Sequence, residues 1–434
     1  MIHTAGFAAI LKHFSKLTFL IAMPVSGFIP TTLALANTCR TSTIHPLYDF
    51  LDAATVSKND CLDSVFNQLH HWQTGTYSTG LPGYPACSYS LIGPDLVISA
   101  GHCPTPRFVG FEFGGGNWRS YPVVDQLASI SNFGAGIDFQ ILRLDGSPGL
   151  ELGWYAVSDS DEGYQGIGTI FQYPDLGSGT RVKSQSCGRV LGVNEHLDYW
   201  GKGKFLDIRI STANSSSGSA ILDSSGKLEG IHIRGGCAYD DPYSFNAAVP
   251  ISTIREQFQK LTGTLLEEIL PQQHLDFADG EPIDLGYLHT FNAEGALPDF
   301  PHPFSGCQFW DQKTQKVTNP ADWNSVIPLP LIPVSQGDGS YALKTAAGDY
   351  VGTHAEAQFW GGPNQSYIAV SLEKNTAKIG TRFQFFPLGE HRYIIKGFVA
   401  DLGQIWLQQC VFGNSFGQLR IRSLWHGEWY IRGN

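Results

Sequence analysis

The sequence predicts an all-β protein of more than one domain, on composition, length and short alternating segments. Only 15% of its 434 residues are charged, 12% are aromatic, 49 are glycine and 24 are proline. Many turns, many aromatic rings and few charges suit pleated, half-buried surfaces better than long helices. At 47.5 kDa the chain is too long for one ordinary domain, so two or three are expected. Its 28 basic and 39 acidic residues leave a net charge of −11. That balance argues against a nucleic-acid partner, whose phosphates need a basic surface. A 42% hydrophobic content supplies real cores and sets the chain apart from a disordered one.

The N-terminal residues read as a targeting segment. Lys12 and Lys16 precede an apolar run from Leu17 to Ala36 that closes on the small residues Ala34 and Ala36. This is the pattern of a secretory signal peptide over residues 1–36, with a retained anchor as the alternative. Pro24 and Pro30 make the run a poor transmembrane helix, and no other stretch is long and apolar enough. No membrane span is therefore expected after signal cleavage, and the protein is expected to be secreted and extracellular. All eight cysteines, at 39, 61, 87, 103, 187, 237, 307 and 410, follow the expected cleavage point and read as disulfides. A zinc site is the rival reading, but no Cys-x-x-Cys pair supports it. Residues 37–75 form an N-terminal segment, with a pro-region as one reading.

Chemistry concentrates after Cys87. The segment Cys87-Ser-Tyr-Ser-Leu-Ile-Gly-Pro-Asp-Leu-Val-Ile-Ser-Ala-Gly-His102-Cys103 reads as a strand, a Gly-Pro-Asp turn and a second strand delivering His102. Cys87 and Cys103 bracket the hairpin and suit a clamp across it. Within Gly136-Ile-Asp-Phe-Gln-Ile-Leu-Arg-Leu144, Asp138 opens an alternating strand, and a serine-rich loop contains Ser217-Gly218-Ser219. Singly, a strand-end histidine is an ordinary surface residue and a serine-rich loop an ordinary turn. Together they stand in the chain order His, Asp, Ser, which differs from the orders of subtilisins and α/β-hydrolases.

On these residues, the stretch from Cys87 to Phe258 resembles the chymotrypsin-like (trypsin-like) serine proteases, and within them the glutamyl endopeptidase, V8-like, branch. Ser99-Ala-Gly-His-Cys103 is similar to the family's histidine motif, and Gly136-Ile-Asp138 to its aspartate motif. Ser211-Thr-Ala-Asn-Ser-Ser-Ser-Gly-Ser219 aligns with the V8-like serine motif. Gly230-Ile-His232 with Gly235-Gly236, Phe245-Asn-Ala-Ala-Val249 and Tyr173-Pro174 match further family segments. The resemblance implies a chymotrypsin-like double β-barrel with a C-terminal helix, spanning residues 76–275, and a protein or peptide substrate. It implies Ser217 as nucleophile, His102 as general base, Asp138 as its orienting partner, and the backbone N–H groups of Ser215 and Ser217 as the oxyanion hole. Ser216 is set aside as nucleophile because the Ser-Gly-Ser frame fits Ser217.

One departure stands out. Where active relatives carry Gly-Asn or Gly-Asp before the nucleophile, this chain has Ser215-Ser216. A serine at the glycine position adopts the required turn at a backbone cost, and a catalytically inactive homologue is the alternative reading. In the V8-like branch a threonine and a histidine contact the substrate carboxylate, and Thr212 and His232 occupy those positions. Cleavage after Glu, and also Asp, is the expectation, with a satisfied core histidine as the alternative for His232. Arg234 is expected to be solvated. No cofactor is expected, and no metal site. The pair His70-His71 reads as a surface pair.

Residues 251–261 carry apolar side chains at 251, 254, 258 and 261, a helical period, with Thr253 and Glu256 read as a capping box. Cys187 and Cys237 flank the nucleophile region and Cys307 and Cys410 the ends of the last domain; both pairings stay open. Residues 276–434 change composition and read as a β-rich domain. Gln308-Phe-Trp310, Gln358-Phe-Trp360 and Gln404-Ile-Trp406 recur at a period near 50 residues, and Tyr341–Val351 echoes Leu419–Ile431. The region resembles a β-trefoil of the ricin-lectin or fascin sort. That resemblance implies a carbohydrate or cell-surface ligand, against the plainer reading that the tryptophans fill an aromatic core.

Overall fold

The structure, a computed structural model, describes residues 45–46, 66, 69–77, 87–112, 118–175, 182–198, 201–235, 246–273, 275–292, 295–296, 308–311, 316–318, 331–357, 366–373, 381–389, 392–399, 403–409, 419–422 and 425–433. Residues 1–36, where a signal peptide is expected, Cys39, Cys61, Cys237, Cys307, Cys410 and the Gln358–Trp360 repeat lie outside them.

Six strands form a first barrel: β1 (Thr74–Thr76), β2 (Ser88–Leu91), β3 (Leu96–Ser99), β4 (Phe108–Glu112), β5 (Trp118–Asn132) and β6 (Ile137–Leu144). They close in the order β1-β2-β3-β6-β5-β4, with Thr76 opposite Gly110 completing the ring. The Gly-Pro-Asp turn forms the expected hairpin, with the N–H of Ile92 donating to the carbonyl of Leu96 at 3.0 Å. The alternation expected from Asp138 gives way to nearly continuous burial along β6. One face of that strand lines the barrel and helix α1, introduced below, packs against it.

A second barrel uses β7 (Gln165–Gln172), β8 (Ser184–Asp198), β9 (Gly201–Arg209), β10 (Ala220–Leu222), β11 (Leu228–Arg234) and β12 (Asn246–Pro250). Their order is β8-β9-β12-β11-β10-β7, closed by pairing of β7 with β8. His45 and Pro46 pair with Gln185 and Ser184 at the start of β8. Closure of both rings leaves the strand groups paired and the interiors free for side chains. Ile170, Val190, Leu206, Ile208, Ile210, Ile221 and Ala248 fill the second barrel. A larger core runs from the first barrel through Phe205, Ile231 and Val249 of the second.

Helix α1 (Ile251–Thr262) follows β12 and buries Ile251, Ile254 and Phe258. It packs against β5 and β6 of one barrel and β11 and β12 of the other, so it fastens the two together. Leu261, the last residue of the apolar period, stays 49% exposed. The expected capping box does not form. Pro250 is the N-cap and makes no side-chain cap, which places Thr253 already inside the first turn, and Glu256 pairs with Lys260 instead. Gly263, at φ 75°, ends the helix.

After Ile283 the regular elements among the described residues are all strands, joined in one antiparallel sheet that includes Leu331–Ser335, Tyr341–Thr345, Thr381–Gly389, Arg392–Val399 and Trp425–Gly433. Gln308–Trp310 and Gln404–Trp406 both lie on strands. Phe277, Tyr341, Phe385 and Tyr393 form a cluster of edge-on and tilted rings. This region joins the protease-like core directly. The Phe386 ring lies 5.2 Å from that of Trp154, and Phe386 and Ile394 belong to the same buried cluster as the first barrel. Lys396 is fully buried and its Nζ donates to the carbonyl of Leu152 at 3.1 Å.

His70-His71 is accordingly no surface pair. His70 is buried, its ring tilts onto Phe66, and its Nε2 bonds the carbonyl of Asp338 at 3.0 Å. The sequence could not reveal this, because the partner is 268 positions away. Among the described residues no helix is long and apolar enough to cross a membrane. Nor do they hold a group of three or more His, Cys, Asp or Glu that could bind a metal ion.

Candidate active site

His102 sits just past the end of β3, held by its strand pairing with β6 and by the Cys87–Cys103 disulfide, whose Cα atoms are 6.1 Å apart. Asp138 enters from the start of β6 and is fully buried. The His102 Nδ1 lies 2.6 Å from Asp138 Oδ2, and the ring edge meets Phe133 at 5.3 Å between centroids. The other oxygen, Oδ1, has no hydrogen-bond partner among the described residues. The imidazole is therefore the group that satisfies this buried carboxylate. A one-third exposed histidine side chain against a buried aspartate leaves Nε2 to face outward chemistry.

The serine loop is fixed to both barrels. The carbonyl of Ser217 accepts from the N–H of Ser88 on β2 at 2.8 Å, and the N–H of Gly218 donates to the carbonyl of His232 on β11 at 2.8 Å. The loop and His232 are joined a second time, the His232 N–H donating to the Ser219 carbonyl at 2.9 Å. Ser217 is half-buried. Ser215 has φ 74°, so the left-handed turn expected of a glycine is made here by a serine. Among the described residues the N–H groups of Ser215 and Ser217 donate to no other group.

Thr212 lies at the start of this loop, and His232 is on β11, bonded to the loop's end. The Asn246 side chain donates to Thr212 Oγ1 at 3.1 Å and to the Ile210 carbonyl at 2.6 Å, locking the threonine in place. Among the described residues a Cβ built on Gly235 meets nothing closer than Asn246 Oδ1 at 3.7 Å and Thr212 Oγ1 at 3.9 Å. Gly235, Thr212 and Asn246 thus border one space. His232 is buried. Burial, with His102 repelling a second cation, holds its pKa down to about 3, against the raising effect of a bond to the Ala247 backbone. The ring is neutral at working pH, and its Nδ1 has no hydrogen-bond partner among the described residues. Arg234 is half-buried rather than solvated, its guanidinium lying 5.4 Å over the Phe205 ring, where aromatic contact offsets lost hydration.

Several functional neighbours escape sequence reasoning. Ser88 and Ser99 are plain strand residues, yet Ser99 Oγ donates to the Ser88 carbonyl at 2.8 Å and Ser88 Oγ accepts from the Tyr173 N–H at 3.1 Å. Asn246 was visible only as part of a matched segment. Lys183 is buried with its Nζ over the rings of Trp72 and Tyr173, at 5.8 and 5.6 Å. Burial pushes its pKa down to about 8, with Glu112 pulling the other way. Cys187 is disulfide-bonded, while Cys237, one candidate partner, lies outside the described residues.

Residues 87–231, about a third of the chain, match the trypsin-like peptidase domain. No curated protein matches the sequence. Similar solved structures include a Glu endopeptidase in complex with MPD, at 17% identity and TM-score 0.34, covering 45% of this chain and 92% of that one. The Rv3671c protease of M. tuberculosis in its inactive form is 15% identical with TM-score 0.35, covering 46% and 93%. A thermostable serine protease, AL20, from an extremophilic microorganism is 14% identical with TM-score 0.34, covering 45% and 98%.

Proposed function

We propose that the trypsin-like peptidase domain, within residues 76–275, makes this chain a secreted serine endopeptidase acting through His102, Asp138 and Ser217. The observation that carries the reading is the 2.6 Å contact between His102 and buried Asp138, beside a serine loop bonded to the same hairpin. A serine hydroxyl is a weak nucleophile at neutral pH and must lose its proton as it attacks. His102 Nε2 takes that proton and returns it to the leaving amine. Asp138 holds the Nδ1–H tautomer and stabilises the imidazolium. The N–H groups of Ser215 and Ser217 receive the oxyanion, a contribution of about 3 kcal/mol per donor. No step calls for a metal or cofactor.

Glu, and secondarily Asp, is the proposed residue before the cut. The Thr212 hydroxyl and the neutral His232 imidazole offer hydrogen bonds to a carboxylate without a buried permanent cation. A net charge of −11 means that this preference arises from local donors, not from the overall field. The C-terminal strands are proposed to form a β-trefoil that carries a carbohydrate or surface-binding function, tested by a glycan array with full-length Ser217→Ala protein.

The catalytic reading is tested by comparing peptide hydrolysis by purified wild type and Ser217→Ala, and the preference by a peptide-library cleavage profile. A second reading, an inactive homologue that binds peptides or glycans, draws on the non-glycine residue at position 215. Equal hydrolysis by the two proteins supports that reading and removes the first.

A further inference from the structure

Ser215 is the one non-glycine residue with positive φ among the described residues. Left-handed backbone crowds a Cβ against the neighbouring peptide, so a serine stays there only when its surroundings hold it. The surroundings are specific. The turn from Ala213 to Ser216 is closed in both directions: the Ser216 N–H donates to the Ala213 carbonyl at 3.1 Å, and the Ala213 N–H donates to Ser216 Oγ at 3.1 Å. Ser216 is fully buried, so water does not compete for that hydroxyl. The Asp175 N–H donates to the Asn214 carbonyl at 2.7 Å, which fixes the outer corner of the same turn.

We infer that Ser216 is a positioning residue whose buried hydroxyl clamps the Ala213–Ser216 turn and holds Ser215 left-handed. The inference rests on the proposed serine-protease reading and assigns the Ser215-Ser216 pair a joint task. One serine takes the strained angle, and the next supplies the side-chain bond that maintains it. Without the clamp, Ser215 relaxes toward negative φ, the peptide unit before it turns, and its N–H leaves the oxyanion position. The defect then appears in the transition state, where negative charge develops, and not in ground-state binding. A glycine at 215 populates the left-handed region without steric cost and has no need of the clamp.

The test is a double-mutant cycle in the full-length protein, read as kcat and KM on a peptide that the wild type cleaves. Ser216→Ala is expected to lower kcat by about tenfold or more while KM stays within about twofold, the pattern of a displaced oxyanion donor. In a Ser215→Gly background the same substitution is expected to change kcat by less than about threefold. An equal loss in both backgrounds, or no loss in either, overturns the clamp. Should Ser216→Ala alone fail to fold, the Ser215→Gly/Ser216→Ala protein is compared with Ser215→Gly: a kcat within about threefold of that background supports the clamp, and about tenfold loss against it overturns it. The rate of fluorophosphonate labelling separates the two levels. A wild type that is neither active nor labelled fails the protease reading itself, whereas an active wild type indifferent to Ser216→Ala fails the clamp alone.

Discussion

The main-chain N–H of Ser88 donates to the carbonyl of Ser217 at 2.8 Å, so the hairpin that ends at His102 also holds the proposed nucleophile. The two barrels meet here through more than one bond. Ser90 Oγ accepts from the Ala220 N–H at 3.2 Å, and Ser88 Oγ accepts from the Tyr173 N–H at 3.1 Å. Placement of the proposed base and nucleophile is thereby a property of the barrel junction, not of a free loop. Buried, fully used polar groups of this kind resist displacement.

Gly218 is where that junction tolerates least. Its φ is 87°, and a Cβ would lie 2.1 Å from both the Ser88 carbonyl oxygen and Ser99 Oγ. Gly218→Ala is expected to cost about 3 kcal/mol or more and to abolish peptide hydrolysis, read by thermal melting and activity assay. Gly235→Ala makes the contrast, since among the described residues its Cβ meets nothing closer than 3.7 Å. It is expected to keep the melting temperature within a few degrees and to lower kcat/KM by narrowing the space beside Thr212.

Acid sensitivity follows from the buried histidines. Burial holds His70 at a pKa of about 4 and His232 at about 3, both below the usual 6.5. The folded state therefore keeps these rings neutral, while the unfolded chain takes up protons below about pH 6.5. Their stabilising effect is complete above that pH and is lost as pH falls toward the folded values. The melting temperature is expected to fall between pH 6.5 and 4, and His70→Gln to flatten that slope. A slope unchanged by His70→Gln contradicts the assignment.

Lys183 acts with the same sign at higher pH. Its folded pKa of about 8 lies below the usual 10.5, so at pH 7 the fold carries a buried charge, partly offset by the Trp72 and Tyr173 rings. The cost is fully present below about pH 8 and disappears as pH rises through 10.5. Lys183→Met is expected to stabilise by about 2 kcal/mol at pH 7, with the gain shrinking above pH 8. Denaturant titration at pH 7 and pH 10 measures both values.

The C-terminal strands belong to the core of the protease-like part. Phe386 covers Trp154, and the Cβ position of Gly153 lies 2.4 Å from the Phe386 ring, so that glycine makes room for it. Phe386→Ala is expected to cost about 3–4 kcal/mol, and residues 76–275 produced alone are expected to aggregate through the uncovered Trp154 surface. A monomeric, stable 76–275 fragment with wild-type melting behaviour contradicts this.

The parts of the fold governed by local pattern were legible in the sequence. The Gly-Pro-Asp hairpin, the Cys87–Cys103 disulfide and the 251–262 helix each rest on residues close in the chain. What escaped depends on distant partners. Ser88 holds Ser217 across 129 positions of chain, and His70 meets Asp338 across 268, with no local signal in either case. The capping box failed for a nearer reason: Pro250 caps the helix three residues before Thr253, which leaves Thr253 inside the first turn. At the candidate site, residue types and order point to His102, Asp138 and Ser217, of which the structure joins His102 to Asp138, while the proposed clamp by Ser216 rests on the backbone angle of its neighbour.

The central claim is that Ser217 is an activated nucleophile, and the most direct measurement is fluorophosphonate labelling of the intact protein followed by peptide mass mapping. The account predicts one adduct, on Ser217, formed at a rate that falls sharply in His102→Ala and vanishes in Ser217→Ala. An unlabelled wild type, or labelling unaffected by either substitution, contradicts it.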